Sequence, residues 1–248
     1  MSEPRMTQDP PTLPATDDAT RALSTRGDGG QWMSPRQLEE RRLIHRHAES
    51  MREHADAFRE LRTRLLERGG EHGMVILVVP VRHGCGGSYV ARNLAAAFAF
   101  DETKQALLVD CDATHPTQAP ALEVTATHGL IDYLEDESLT LGQIIHPTGL
   151  PRVSLIPSGR IRETPGESFS SFRMRALVDS LRAHEGSRHV ILDGPPVQGS
   201  PDARILSDLA DLVVLVVGAG QVAQEAVDRA IASFPADKFA GVVFNQGQ

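Results

Sequence analysis

An apolar run, Met74 to Val79, leads directly into Val81-Arg82-His83-Gly84-Cys85-Gly86-Gly87-Ser88, and a helical pattern begins at Tyr89. Strand, glycine-rich turn and helix in that order leave few folds open. The turn gathers the backbone N–H groups of a helix N-terminus at the end of a buried strand, where an anion is attracted. A nucleotide-binding α/β protein carries G-x-x-x-x-G-K-[ST] at this place. Here the closing Gly-Lys-Ser reads Gly86-Gly87-Ser88, and Val81 stands for the first glycine. Gly84, Gly86, Gly87 and Ser88 are therefore the candidate phosphate cradle, but the cation that would grip the β- and γ-phosphates is missing.

The rest of the chain repeats the same alternation. Strands are expected at Met74–Val79, Ala106–Val109, Val153–Ile156, His189–Leu192, Leu212–Val217 and Gly241–Phe244, with helices near 88–100, 129–146, 170–184, 202–210 and 220–233. Strands without strict apolar–polar alternation, separated by helix-length segments, predict a doubly wound, mostly parallel sheet covered on both faces. Ahead of it, residues 34–70 read as a helical arm of one long helix or two, opening at Ser34-Pro35 and closing at Gly69-Gly70. Residues 1–33 are rich in Pro, Thr, Asp, Gly and Ser and are expected to form a disordered tail. Residues 71–248 form the main domain.

Composition excludes several classes. A chain of 248 residues with net charge −8 lacks the basic footprint of a nucleic-acid binder. Its apolar runs, such as Leu212 to Val217, are far short of the roughly 20 residues of a membrane span. With no apolar leader and two cysteines, Cys85 and Cys111, a cytoplasmic protein without a disulfide framework is expected. Of the 25 basic residues only Lys104 and Lys238 are lysines, so few groups are available to replace the missing one.

Three carboxylates accompany the loop. Asp110 and Asp112 end Ala-Leu-Leu-Val-Asp-Cys-Asp, and Asp193 ends Val-Ile-Leu-Asp-Gly-Pro-Pro. Acids leaving buried strands beside a phosphate loop are placed to hold a hard cation, directly or through water, together with the Ser88 hydroxyl. Ser88, Asp110 and Asp193 are the candidate Mg²⁺ ligands, conditional on nucleotide binding. Asp110, Asp112 and Asp193 are the candidate catalytic acids if the chain is active. Cys85, Cys111 and His83 admit a redox pair or a metal, but their spacing matches no familiar ligand set.

These motifs resemble the bacterial tyrosine kinase family of polysaccharide biosynthesis, a branch of the deviant-Walker P-loop ATPases. Ala91-Arg92-Asn93-Leu94-Ala95 matches the family's Ala-x-Asn-Leu-Ala helix. Asp110, Asp112 and Pro116 match its second motif, and Asp193-Gly194-Pro195-Pro196 its third, with Gly for Thr. Asp202-Ala203 and Gly241-Val242-Val243-Phe244-Asn245 match later signatures, so the likeness runs from about residue 56 onward. The resemblance implies a P-loop NTPase-type domain, with ATP or ADP and Mg²⁺ as candidate cofactors. It implies three kinds of partner: a chain-length-regulating membrane protein, further copies of this chain, or an active paralogue. Such a membrane partner would place the chain peripherally at the inner membrane. It also maps a subunit-packing motif, Glu-x-x-Arg-x-x-Arg, onto Asp56, Arg59 and Arg62, which a solvated i,i+3 ion pair explains equally. The lead-in from Ser34 to Arg46 is similar to that of the exosortase-associated subgroup.

The departures fall on catalysis. Gly87 stands for the phosphate-binding lysine, Cys85 for a Glu, and Gly194 for a Thr. A hydrogen bond to a charged group contributes roughly 1.5–3 kcal/mol. Losing it weakens nucleotide binding about ten- to a hundredfold, and the effect on a phosphoryl-transfer transition state is larger. Arg82, which matches the signature lysine of the positioning ATPases, and Arg92 are the possible substitutes. The family's tyrosine-rich tail has no counterpart before Gln248, and Tyr89 and Tyr133 are the only tyrosines. The expectation is a catalytically impaired, pseudokinase-like regulator of exopolysaccharide synthesis or export that acts by binding. The alternatives are an active ATPase or tyrosine kinase with an atypical loop, and a nucleotide-loaded switch without turnover.

Overall fold

The computed structural model describes residues 32–45, 51–70, 72–182 and 188–247. A seven-stranded sheet in the order β3-β4-β2-β5-β1-β6-β7 forms its centre. The strands are β1 (Val75–Pro80), β2 (Gln105–Asp110), β3 (His146–Pro147), β4 (Val153–Ile156), β5 (Arg188–Asp193), β6 (Leu212–Gly218) and β7 (Phe239–Asn245). All neighbours are parallel except β3 and β4. Helices α1 (Pro35–Glu40), α2 (Arg52–Gly69), α3 (Gly87–Phe98), α4 (Gln118–Ala121), α5 (Leu130–Glu135), α6 (Gly166–Phe169), α7 (Phe172–Arg182), α8 (Asp202–Leu209) and α9 (Gln224–Ile231) cover it.

The strand sequences explain the two layers. In β1 every residue is buried, and alternate side chains enter opposite cores. Val75, Leu77 and Val79 pack with α5, α7, α8 and α9 through Leu130, Leu177, Leu206 and Val227. Ile76 and Val78 pack with α2 and α3 through Phe58, Leu65, Leu94 and Phe98. That pleat-dictated split requires a doubly wound sheet rather than a one-faced one. The chain leaves β1 toward β2 on one side and later returns to β6 on the other. The carboxyl ends of β1, β5 and β2 therefore surround one crevice, the usual ligand position in such sheets.

The arm is two helices, not one. Ser34 caps α1 in a reciprocal box with Gln37, and Pro35 occupies the first turn. Helix α1 stops at Glu40, and Leu43 and Ile44 then run into the core in non-helical conformation. Asn93 fastens them: its Oδ1 accepts from the Ile44 N–H at 2.8 Å, and its Nδ2 donates to the Arg42 carbonyl at 3.1 Å. The arm thus shares its core with the sheet. Of the tail expected at 1–33, residues 1–31 lie outside the described residues, as does Arg46 of the lead-in. Met33 is buried against Gly149, to whose carbonyl its N–H donates at 3.0 Å.

The helix expected over 129–146 is instead α5, a 3₁₀ turn at Leu141–Gln143 and the edge strand β3. Asp136 ends α5 by accepting from the Ser138 N–H and hydroxyl, a local alternative to the helical ladder. The Arg173 guanidinium takes the carbonyls of Tyr133, Asp136 and Leu139, stabilising the break. The helix expected near 170–184 is α7, which begins at Phe172; residues 183–184 lie outside the described residues, and α6 is a separate short helix before it. Among the described residues no helix is long and apolar enough to cross a membrane.

Candidate functional site

The loop between β1 and α3 is held open by glycine geometry. Gly84 and Gly86 have φ of +84° and +87°, which side-chain-bearing residues rarely adopt. Asn245 at the end of β7 clasps the turn, its Nδ2 donating to the Cys85 carbonyl at 3.0 Å. That same nitrogen lies 2.0 Å from where a Cβ on Gly86 would stand, so only glycine fits. The first N–H groups of α3 are left for an anion, as in any phosphate loop. Gly87 is buried beneath Pro80: a Cβ on it would stand 2.7 Å from Pro80 Cδ and 2.9 Å from Cγ. The lysine's position is thus closed by the last residue of β1.

Beside the loop, β2 and β5 run in register so that Asp110 and Asp193 are direct partners. Asp110 Oδ2 accepts from the N–H groups of Thr117 and Gln118 at 3.1 and 3.0 Å, and its Oδ1 from the Asp112 N–H at 3.3 Å. Asp193 Oδ2 accepts from Gln118 Nε2 at 2.6 Å. Gln118 Nε2 donates as well to the Ser88 carbonyl at 3.0 Å, tying α4 to the loop helix. Asp193 Oδ1 and Gln118 Oε1 are buried without a hydrogen-bond partner in the structure.

Electrostatics follow from this crowding. Burial, and next the neighbouring Asp193, push the Asp110 carboxyl well above its ordinary range. Burial drives the Asp193 carboxyl up to about 6, against the opposing hydrogen bond from Gln118. Arg92, one turn along α3 from Ser88, is attracted to Asp193, but burial lowers its own pKa. Its guanidinium lies over the Tyr89 ring at 5.6 Å from the centroid.

The structure brings Gly84, Gly86, Gly87, Ser88, Asp110 and Asp193 together around one crevice. Asp112, 7% exposed, follows Asp110 at its edge. Arg82 is exposed on the loop. Asp56 and Arg59 pair with each other at 2.6 Å on α2, and the Arg59 guanidinium lies 5.2 Å from the Phe100 ring centroid. Arg62 donates to the Ala97 carbonyl at 3.0 Å. Cys85 and Cys111 are buried free thiols. Burial, then the three carboxylates, push the Cys111 thiol well up, opposite to what a reactive thiolate needs. A Cβ on Gly194 would stand 2.7 Å from Val79 Cγ1 and 2.9 Å from Leu77 Cδ1, so this departure is built into the core too. Gln118 was not legible from the sequence, where Thr117-Gln118 is an unremarked polar pair after Pro116. Asn93 was legible only as part of a motif.

The tyrosine-protein kinase YwqD of Bacillus subtilis is 30% identical over 178 residues, 71% of this chain and 73% of that protein. The chain belongs to the bacterial tyrosine-protein kinase family. In this kinase family a further relative is the tyrosine-protein kinase CpsD of Streptococcus agalactiae, 28% identical over 192 residues, 76% of this chain and 82% of that protein. The crystal structure of the chimerical protein CapA2B2 superposes with a TM-score of 0.73 at 24% identity, covering 94% of this chain and 99% of the other. At that identity the superposition speaks for the fold, a P-loop α/β domain. No protein-family model matches the chain.

Proposed function

We propose that this tyrosine-kinase-family chain serves bacterial exopolysaccharide synthesis or export by binding protein partners, with phosphoryl transfer impaired. The observation that carries the reading is Gly87 in the lysine's position, with Pro80 filling the space above it. Phosphoryl transfer depends almost wholly on positioning and charge stabilisation, so losing the loop cation removes a main source of both. Gly194, packed against Val79 and Leu77, supports the same reading at the third acidic motif. The partners proposed are the cytoplasmic segments of a chain-length-regulating membrane protein, further copies of the chain, or an active paralogue. Asp56, Arg59 and Arg62 are the proposed contact surface, reached when Arg59 exchanges its Asp56 partner for one on a neighbouring subunit.

One observation favours a second reading, a nucleotide-loaded switch without turnover. The buried, unpartnered Asp193 Oδ1 beside Ser88 is a donor set that fits a hard cation. Ser88, Asp110 and Asp193 would hold Mg²⁺, which would supply positive charge to offset the acids and the phosphates of a bound nucleotide. The protein itself contributes the glycine-loop N–H groups and, through Gln118, the alignment of Asp193.

Calorimetric titration with Mg-ATP and Mg-ADP, followed by a phosphotyrosine assay, separates the readings. Binding weaker than micromolar and no phosphotyrosine are expected. Micromolar binding without turnover replaces the first reading by the switch, and phosphotyrosine formation overturns both. Sedimentation of Arg59→Ala/Arg62→Ala against the parent tests the contact surface; identical distributions remove it.

A further inference from the structure

A second group of ligating side chains stands at the rim of the crevice, and two of its three members have no part in phosphate binding. His83 belongs to the loop after β1 and His115 to the turn after β2. Their rings meet edge to face, with centroids 4.5 Å apart and planes at 71°. The third member is Asp112, buried where the other two are exposed. One ligand atom from each of the three lies within 4.8 Å of the other two. We propose that His83, Asp112 and His115 form a binding site for a divalent transition-metal ion of the zinc class, with at least one coordination position open.

The donor set selects the ion. Two imidazole nitrogens and one carboxylate suit zinc, cobalt, nickel or copper, whereas magnesium and calcium prefer oxygen alone. Three atoms at the 4.8 Å limit would each stand about 2.8 Å from their centre, against metal–ligand distances of about 2.0–2.1 Å. Each must therefore advance by less than about 1 Å, which rotation about side-chain bonds supplies. Both histidines are exposed, and among the described residues neither ring is held by a hydrogen bond. Asp112 is the fixed member. The His115 N–H donates to its Oδ1 at 2.9 Å, so the residue that brings one imidazole also orients the carboxylate, as outer contacts do around metal ligands.

The surroundings favour a cation as well. Asp110 and Asp193 lie behind Asp112: Asp110 Oδ1 accepts from the Asp112 N–H at 3.3 Å, and Asp110 and Asp193 are direct partners across β2 and β5. With glycine at position 87, the loop offers no lysine to offset these three acids. A doubly charged ion on Asp112 relieves that repulsion directly. The site is distinct from the Ser88, Asp110 and Asp193 set, and its argument does not depend on how the nucleotide question is resolved.

The test uses the full chain, stripped of metal by chelation and titrated with Zn²⁺ by calorimetry and with Co²⁺ by visible absorption. His83→Ala, His115→Ala and the double variant are run alongside, each checked for parent-like circular dichroism. One equivalent of Zn²⁺ should bind with micromolar affinity or better and persist in excess Mg²⁺. Co²⁺ should give the visible band of a low-coordinate site. Either single substitution should weaken Zn²⁺ about 10–100-fold. Absence of Zn²⁺ binding by the folded parent overturns the proposal, as does parent-like affinity in the double variant, which would put the ion elsewhere. Displacement by an equal concentration of Mg²⁺ would do the same.

Discussion

Replacing Asp193 by Asn is expected to stabilise the protein, by an amount that grows with pH. Asp193 is fully buried, with one oxygen unpartnered and its neighbour Asp110 also a carboxyl. Its pKa stands at about 6 in the folded protein, against the ordinary 3.8. The folded state therefore holds this proton more tightly than the unfolded chain. Its favourable contribution is complete below about pH 3.8 and is lost as pH rises through about 6. A difference of about two pKa units at 1.36 kcal/mol per unit is a cost of about 3 kcal/mol at pH 8, of which about 1.4 kcal/mol accrues between pH 5 and pH 8. Asn keeps the shape and still accepts from Gln118 Nε2, but it carries no charge. His189 complicates the parent's own profile: burial lowers its pKa to about 4, so its contribution is present above its ordinary 6.5 and is lost as pH falls toward 4. Comparing variant with parent at each pH cancels that term. Urea denaturation followed by far-ultraviolet circular dichroism at pH 5 and pH 8 measures the difference. The variant's advantage should increase by about 1.4 kcal/mol between the two, with an additional gain as Asp110 loses its charged neighbour. A difference that is flat with pH, or a variant less stable than the parent at pH 8, would refute the account of a strained carboxylate pair.

Gly87→Lys alone should destabilise by about 1–3 kcal/mol, because its Cβ meets Pro80. Pro80→Ala removes the two nearest atoms, so Pro80→Ala/Gly87→Lys should recover most of that loss in thermal melts. The double variant should also bind Mg-ATP about ten- to a hundredfold more tightly than the parent by calorimetry. Gln118→Ala should cost roughly 1.5–3 kcal/mol for the bond to Asp193 and move that carboxyl's pKa further up, seen as a larger loss of melting temperature at pH 8 than at pH 5. Asn93→Ala removes bonds to Ile44, Arg42 and Tyr89. A loss of about 2–4 kcal/mol is expected, with faster amide exchange at Ile44 as the specific sign that the arm has loosened.

The sequence by itself determined the layered α/β sheet, because each buried strand is a continuous apolar run between helix-length segments. Runs such as Leu212–Val217 admit no solvent-facing side. It also determined the crevice, because the glycine-rich turn and the carboxylates sit at strand ends that a parallel sheet must bring to one edge. Short elements were less legible. Helix α5 and strand β3 replaced one long helix because Arg173, distant in sequence, caps the carbonyls where the pattern breaks. Only the tertiary structure decided what surrounds the position of the missing lysine. It set Pro80 against Gly87 where the strand turns into the helix, and it set Gln118 between Ser88 and Asp193 and His83 beside His115, contacts between residues whose separation along the chain leaves no local signal. Burial then raised the carboxyl pKa values, a property of the packed site rather than of any residue in it.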